Sequence, residues 1–291
     1  MSQVKVTLPD AMETSLIMLY GLATDARAHP SILGDTIAAE AFDRVDYDFT
    51  RLRSPVASAK SMSVKVAARA KFFDEWTRQF LAIHNHATML HLGAGLDSRV
   101  WRINPGPGVQ WYDIDLPGVI QARHELFPTH ANYQLIAASV TDPSWLERIP
   151  AHLPVLVIAQ GLTMYLQPAD GHALLRRITD RFTDGALILD THNGLGIRVV
   201  NSMLKRQFGA PLLHWAIDDP RTLEEANPRL RCTDVVSAVS PALIDLLPPG
   251  AAPRGSRLFS QAATLLPALR NLSLHARYEF RPAQHLVTGD H

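Results

Sequence analysis

His91-Leu-Gly-Ala-Gly-Leu-Asp-Ser-Arg99 continues an apolar run that begins at Thr88, and the junction between run and glycines decides the fold. A short apolar run that ends in a Gly-x-Gly turn reads as a buried strand passing sharply into a helix. Gly93 and Gly95 let the chain turn and let a ligand approach the backbone, because a Cβ at either position would occupy that space. Similar runs follow at residues 110–115 (QWYDID), 133–139 (YQLIAAS), 154–160 (PVLVIAQ) and 186–192 (ALILDTH). Helix-length stretches separate them at residues 117–127, 143–149 and 168–182. Pro117, Pro143 and Pro168 stand near those helix starts, where a missing N–H costs nothing. This alternation predicts βαβ units and a mostly parallel sheet. Two late strand candidates, residues 230–239 and 272–280, flank a proline-rich stretch from Pro241 to Pro253, so the sheet is expected to end in a long crossover or a hairpin excursion.

Upstream of the glycine turn the pattern is helical. Residues 62–84 carry Val66, Ala70, Phe73, Trp76, Phe80 and Ile83 at spacings of three and four, which predicts an amphipathic helix with one buried face. Residues 11–22 predict a first helix, and Arg51-Leu-Arg-Ser-Pro55 reads as a turn-rich approach to the second. A helical segment, 1–87, is thus expected to precede an α/β core, 88–291.

With 291 residues, 47% of them hydrophobic, the chain is long enough for a full core. Lys plus Arg, 28, equals Asp plus Glu, 28, so no electrostatic ground favours nucleic acid or an anionic membrane as partner. A single cysteine, Cys232, excludes an internal disulfide and points to a reducing compartment, the cytoplasm. Leu16–Ala23 is far shorter than the roughly 20 residues that span a bilayer, and it lacks a basic start. No nucleophile elbow, phosphate loop or zinc helix occurs; His124, Glu125 and His130 are separated by Pro128, which breaks any helix that would group them around a metal.

The acids Asp113 and Asp115 follow the glycines by about 20 residues, at the end of the next strand, where a carboxylate can hold a ribose diol. A dinucleotide fingerprint asks for a third glycine so that the helix N-terminus can approach a pyrophosphate, and Ser98 stands there instead. S-adenosyl-L-methionine carries ribose and adenine without phosphate and needs only the turn and the acid.

Four blocks, HLGAGLDSRVWR, WYDIDLPGVIQAR, ASVTDPSWLERI and IAQGLTMYLQP, resemble in order and spacing the leucine carboxyl methyltransferase family, especially its bacterial, TcmP-like polyketide O-methyltransferase branch. The resemblance runs from about Met62 to Asp190. It implies a class I methyltransferase (Rossmann-like) fold of seven mostly parallel strands with helices on both faces and S-adenosyl-L-methionine as cofactor. It also implies a helical N-terminal lid and, beyond the fifth strand, a substrate-capping insertion around 194–228. Carried over, Arg69 holds the cofactor's carboxylate, a task that suits a planar guanidinium. The glycine block falls on Gly93, Gly95, Asp97 and Arg99, and the ribose acid on Asp115, with Asp113 in reserve.

Two positions depart from the family. Ser139 replaces the acid after the third strand and Gln160 replaces a glutamate after the fourth; a hydroxyl and an amide oxygen still accept hydrogen bonds, so what changes is charge. Tyr165, His192, His214 and Trp215 lie in blocks expected to face or border the acceptor pocket, with Trp215 read as core in preference to an acceptor platform, His192 the candidate base for a phenol and Tyr165 beside it. A carboxylate acceptor needs no base at neutral pH. The leading expectation is an O-methyltransferase acting on a carboxyl or hydroxyl group of a small, aromatic or polyketide-type molecule. A cofactor-binding relic without transfer and a nicotinamide-dependent oxidoreductase are the alternatives. The expected partner is that small acceptor, with no nucleic acid and no membrane, and a homodimer is left open.

Overall fold

The computed structural model describes residues 10–49, 59–253 and 255–281. The turn-rich stretch at 51–55 lies outside them. Three helices come first: α1 (Asp10–Ala26), α2 (Thr36–Arg44) and α3 (Ala59–Ile83). Then β1 (Ala87–Leu92), α4 (Arg99–Ile103), β2 (Val109–Asp115), α5 (Pro117–Leu126), β3 (Tyr133–Ala137), α6 (Ser144–Glu147) and β4 (Val155–Ala159) follow. After a 3-10 turn at Thr163–Tyr165 come α7 (Pro168–Arg181), β5 (Gly185–His192), α8 (Gly194–Phe208), α9 (Thr222–Ala226) and β6 (Leu230–Ser237). The elements of the described residues end with α10 (Pro241–Asp245), α11 (Ser256–Leu265), α12 (Pro267–Arg270) and β7 (Ser273–Phe280).

The sheet order is β3-β2-β1-β4-β5-β7-β6. β1 to β5 pair in parallel, while β7 runs antiparallel to both β5 and β6. The late strands therefore form a hairpin whose connection is an excursion, Ala238–Leu272, that holds α10, α11 and α12.

Side chains alternate across the strands and sort the core into two layers. Leu90, Leu92, Tyr112, Ile114, Val157, Leu187 and Tyr278 pack on one face against α6, α7 and α9. Met89, Trp111, Leu156, Ile158 and Ile188 pack on the other against Phe72, Phe73, Trp76 and Phe80 of α3. Burial on both faces explains why the strands read as continuous apolar runs. The stripe expected on α3 ends one turn early, for Ile83, the last residue of the helix, is 74% exposed. Leu16, Leu19 and Leu22 of α1, Ala38 and Ala41 of α2, and Leu96, Ala122 and Leu126 make a separate cluster that seats the first helices beside the glycine turn.

The sheet order reverses between β1 and β4, because the chain first winds outward through β2 and β3 and then returns. Loops leaving the carboxyl ends of two such strands diverge and leave a crevice, the usual ligand position in an open α/β sheet.

Candidate functional site

A cleft of about 390 Å3 opens at that reversal. Gly93 and Gly95 form one wall with φ of +61° and +54°, a left-handed conformation that costs other residues roughly 1–2 kcal/mol each. A Cβ on Gly93 would come within 3.0 Å of Leu162 Cδ1. Arg69, Asp115, Ser139, Gln160, Tyr165 and His192 line the same cleft, as do Thr14, Ser15 and Met18 of α1.

Asp115 ends β2 and faces the glycines. Its Oδ2 accepts the Gly95 N–H at 2.7 Å and its Oδ1 the Leu116 N–H at 2.7 Å. Burial pushes its carboxyl above the usual range against those two donors. Each oxygen has a second lone pair to offer to a ligand hydroxyl.

Asp113 does not share this position, and its reserve role as a ribose ligand is corrected. Two residues back along β2 it is only 1% exposed and lies beneath the glycine loop, outside the cleft. Its Oδ1 accepts from Trp111 Nε1 at 2.8 Å and lies 3.3 Å from His91 Nδ1; its Oδ2 accepts from Tyr133 at 2.7 Å and from Arg123. Arg123 in turn donates to the Gly95 and Asp97 carbonyl oxygens at 2.7 and 2.9 Å, so Asp113 holds the arginine that staples the loop.

A buried ion network lies behind the loop. Arg99 Nε donates to Asp74 Oδ1 at 2.8 Å, and another Arg99 nitrogen reaches Asp97 Oδ2 at 3.2 Å. Arg102 bonds Asp74, Asp35 and Asp97 at 2.9, 2.7 and 2.6 Å. Burial opposes the charge on Asp74, yet Arg102 and Arg99 beside it hold its carboxyl below the ordinary range. Asp35 also caps α2, accepting the Ala38 N–H, and Asp74 belongs to α3, so the network ties the first helices to the glycine loop.

Gln160 is part of this network. Its Oε1 accepts from Arg99 Nη2, which leaves Nε2 buried without a partner at the cleft wall. The Ser139 hydroxyl is shared with Thr141, its Oγ 2.7 Å from Thr141 Oγ1. Arg69 reaches the cleft from α3 and is paired at 3.0 Å with Asp190, whose side chain is fully buried at the end of β5. The other oxygen of Asp190 accepts the Gly161 N–H at 2.6 Å. Asp190 is the functional candidate that sequence reasoning passed over; an acid closing the apolar run ALILD was its signal.

His192 follows Asp190 on β5, next to Asn193, which caps α8 by accepting from Gly196 N–H at 2.7 Å. Burial moves the His192 pKa down, and its Nδ1 is buried without a partner. Tyr165 ends the 3-10 turn; burial raises its phenol, which hydrogen-bonds Thr14 of α1. His214 and Trp215 are not at the cleft. His214 is exposed, and Trp215 packs in the core against His172 at a centroid distance of 4.9 Å and over Gly171 of α7. From the expected capping stretch 194–228 the cleft takes Val200 and Leu213, whereas Ile217 and Leu223 join the core on the α7 side of the sheet.

No helix of the described residues is long and apolar enough to cross a membrane. The leucine carboxyl methyltransferase family profile matches residues 15–179. A Streptomyces glaucescens protein, tetracenomycin polyketide synthesis O-methyltransferase TcmP, is 41% identical over 245 residues, which cover 84% of this chain and 89% of that one. The S-adenosyl-L-methionine-dependent methyltransferase dpfgK of Gibberella zeae is 34% identical, covering 78% of this chain and 82% of its own length. Among solved structures, a protein from Thermobifida fusca YX classed with the methyltransferases superposes with a TM-score of 0.57 at 16% identity, over 93% of this chain and 97% of that one. The seven-stranded sheet is the class I methyltransferase fold, and the chain belongs to the leucine carboxyl methyltransferase family.

Proposed function

We propose that this chain is an S-adenosyl-L-methionine-dependent O-methyltransferase that acts on a carboxyl or hydroxyl oxygen of a small aromatic or polyketide-type molecule. The observation that carries the reading is the pairing of the left-handed Gly93 and Gly95 with the Asp115 carboxyl across the cleft, a cradle that fits a ribose and offers no third glycine for a pyrophosphate. The names of the two relatives support the cofactor and, for one of them, the oxygen acceptor.

Asp115 would hold the ribose hydroxyls, and Leu116, Val140 and Leu166 supply the apolar lining for an adenine. Arg69, steadied by Asp190, would take the cofactor's carboxylate. When bound, the cofactor would supply an electrophilic methyl group on a sulfonium, with neutral sulfur as the leaving group, for an acceptor oxygen held in line. The chain's own part is orientation and exclusion of water. A carboxylate acceptor arrives ionised, whereas a hydroxyl gives up a proton, and His192 accepts it because burial keeps its imidazole neutral at pH 7.

Calorimetry with S-adenosylhomocysteine and with NAD tests the reading; binding of NAD and not of the S-adenosyl ligand overturns it. Incubation with S-adenosylmethionine and a panel of aromatic acids and phenols tests the transfer. A methylated product cleaved by mild alkali is an ester and assigns the carboxyl, and an alkali-stable one is an ether and assigns the hydroxyl.

A further inference from the structure

A second cavity of about 860 Å3 lies on the α3 side of the sheet, between α3 and the β6–β7 excursion. Its walls are mostly apolar, with Val64 and Ala68 from α3, Val239, Leu243 and Leu247 from the excursion, and Val200 from α8, while Lys65, Ser240, Ser256 and Ser260 add polar groups. It meets the cofactor cleft at Arg69, His192 and Val200, which line both. A cavity of this size stands toward the upper end of the roughly 300–1,000 Å3 usual for small-molecule sites, larger than a single ring requires.

Among the polar lining residues His275 stands apart by its burial and its unpaired ring nitrogens. His275, on β7 opposite Asp190, lines the cavity and is only 1% exposed. Phe72 and Phe73 of α3 enclose its ring at centroid distances of 5.4 and 5.5 Å. Neither Nδ1 nor Nε2 has a hydrogen-bond partner. Buried polar atoms are nearly always paired, so an imidazole with two unpaired nitrogens beside this cavity is suited to a ligand that completes it. Burial brings its pKa down to about 4, so the ring is neutral at pH 7, with one nitrogen donating and the other accepting.

We propose that the ring body of the methyl acceptor occupies this chamber, its reacting oxygen directed to the His192 junction, and that His275 is the specificity residue that hydrogen-bonds a hydroxyl or carbonyl substituent on that ring body. The acceptor class is thereby narrowed to apolar molecules of several rings with a polar substituent remote from the methylated atom. This rests on the methyltransferase reading above, and it draws the acceptor's recognition mainly from α3, the excursion and β7, with Val200 contributed by the 194–228 stretch.

The test uses the full chain and a three-ring probe, 4,5-dihydroxyanthraquinone-2-carboxylate, with S-adenosylhomocysteine titrated in parallel. Wild type is expected to bind both. Ala252→Trp, which fills the chamber from its rim, is expected to abolish probe binding. His275→Phe keeps the packing against Phe72 and Phe73 and should weaken the probe about tenfold, the loss of one hydrogen bond to a buried partner, while His275→Asn restores part of it. In every variant the S-adenosylhomocysteine affinity should stay within about twofold. The proposal is overturned if wild type fails to bind the probe, if both chamber variants bind it like wild type, or if probe and S-adenosylhomocysteine weaken together. Failure of wild type to bind S-adenosylhomocysteine overturns the methyltransferase reading itself.

Discussion

Asp115 keeps free lone pairs at the cleft although each of its oxygens already holds a backbone N–H, whereas Asp113, two residues earlier, has its oxygens taken up by Arg123, Tyr133 and Trp111. Substitution should separate them cleanly. Asp115→Ala is expected to weaken S-adenosylhomocysteine by roughly 1–3 kcal/mol with little change in unfolding. Asp113→Ala leaves Arg123 buried without its counter-ion and should cost about 3–5 kcal/mol in urea unfolding; equal effects on both readouts would refute the division. At Gln160 the Arg99 contact tempers the consequence of restoring a glutamate, since the added anion would pair with Arg99 before it faced a sulfonium. Gln160→Glu is therefore expected to alter the preference for S-adenosylmethionine over its neutral product by less than about 1 kcal/mol, measured by calorimetry with both ligands. His275 gives a pH signature. Asp190 favours its charged form, while burial, Arg69 and His192 oppose it, and the folded pKa of about 4 lies below the ordinary 6.5. Between those values the unfolded chain binds more protons, so stability is present above pH 6.5 and is lost as pH falls toward 4, by up to about 3 kcal/mol. Urea titrations across that window should show the loss in wild type and a correspondingly smaller one in His275→Phe.

The strands were legible because β1, β4 and β5 are buried on both faces and are therefore largely apolar, and α5 and α7 because a proline at the first helical position marks each start. The nine-residue α2 has no such mark beyond its Asp35 cap, and α10 to α12 sit in a stretch whose prolines read as loop. Trp215 is a core residue, as its sequence reading favours, but the sequence alone does not show which side receives it. A tryptophan after a strand looks the same in sequence whether it turns to the cleft or the core, and only the bare surface of Gly171 on α7, where a Cβ would come within 1.9 Å of the indole, shows which side receives it. Trp215→Ala is expected to cost about 3–5 kcal/mol of stability and to leave S-adenosylhomocysteine affinity unchanged; lost affinity in a folded variant would contradict the core role.

Across the whole molecule, the glycine turn and its acid were readable because they lie within 25 residues of each other, 91 to 115. The ion network was not, since Asp35, Asp74, Arg99 and Arg102 come from α2's cap, α3 and α4, and nothing in their local surroundings links them before the fold does. Likewise the acceptor chamber draws on α3, α8, the excursion and β7, segments that share no motif. Arg69 is one of three residues common to both cavities, with His192 and Val200, and Asp190 leaves it part-exposed between them. A side chain with long rotatable bonds loses freedom once, and whichever guest arrives first bears that ordering cost for the other. The two guests should therefore bind cooperatively, and by thermodynamic reciprocity the factor by which one tightens the other must be the same in either order of addition. Departure is governed by the same linkage: a methylated product that no longer holds its place in the chamber loosens the spent cofactor as it leaves, which favours rapid turnover.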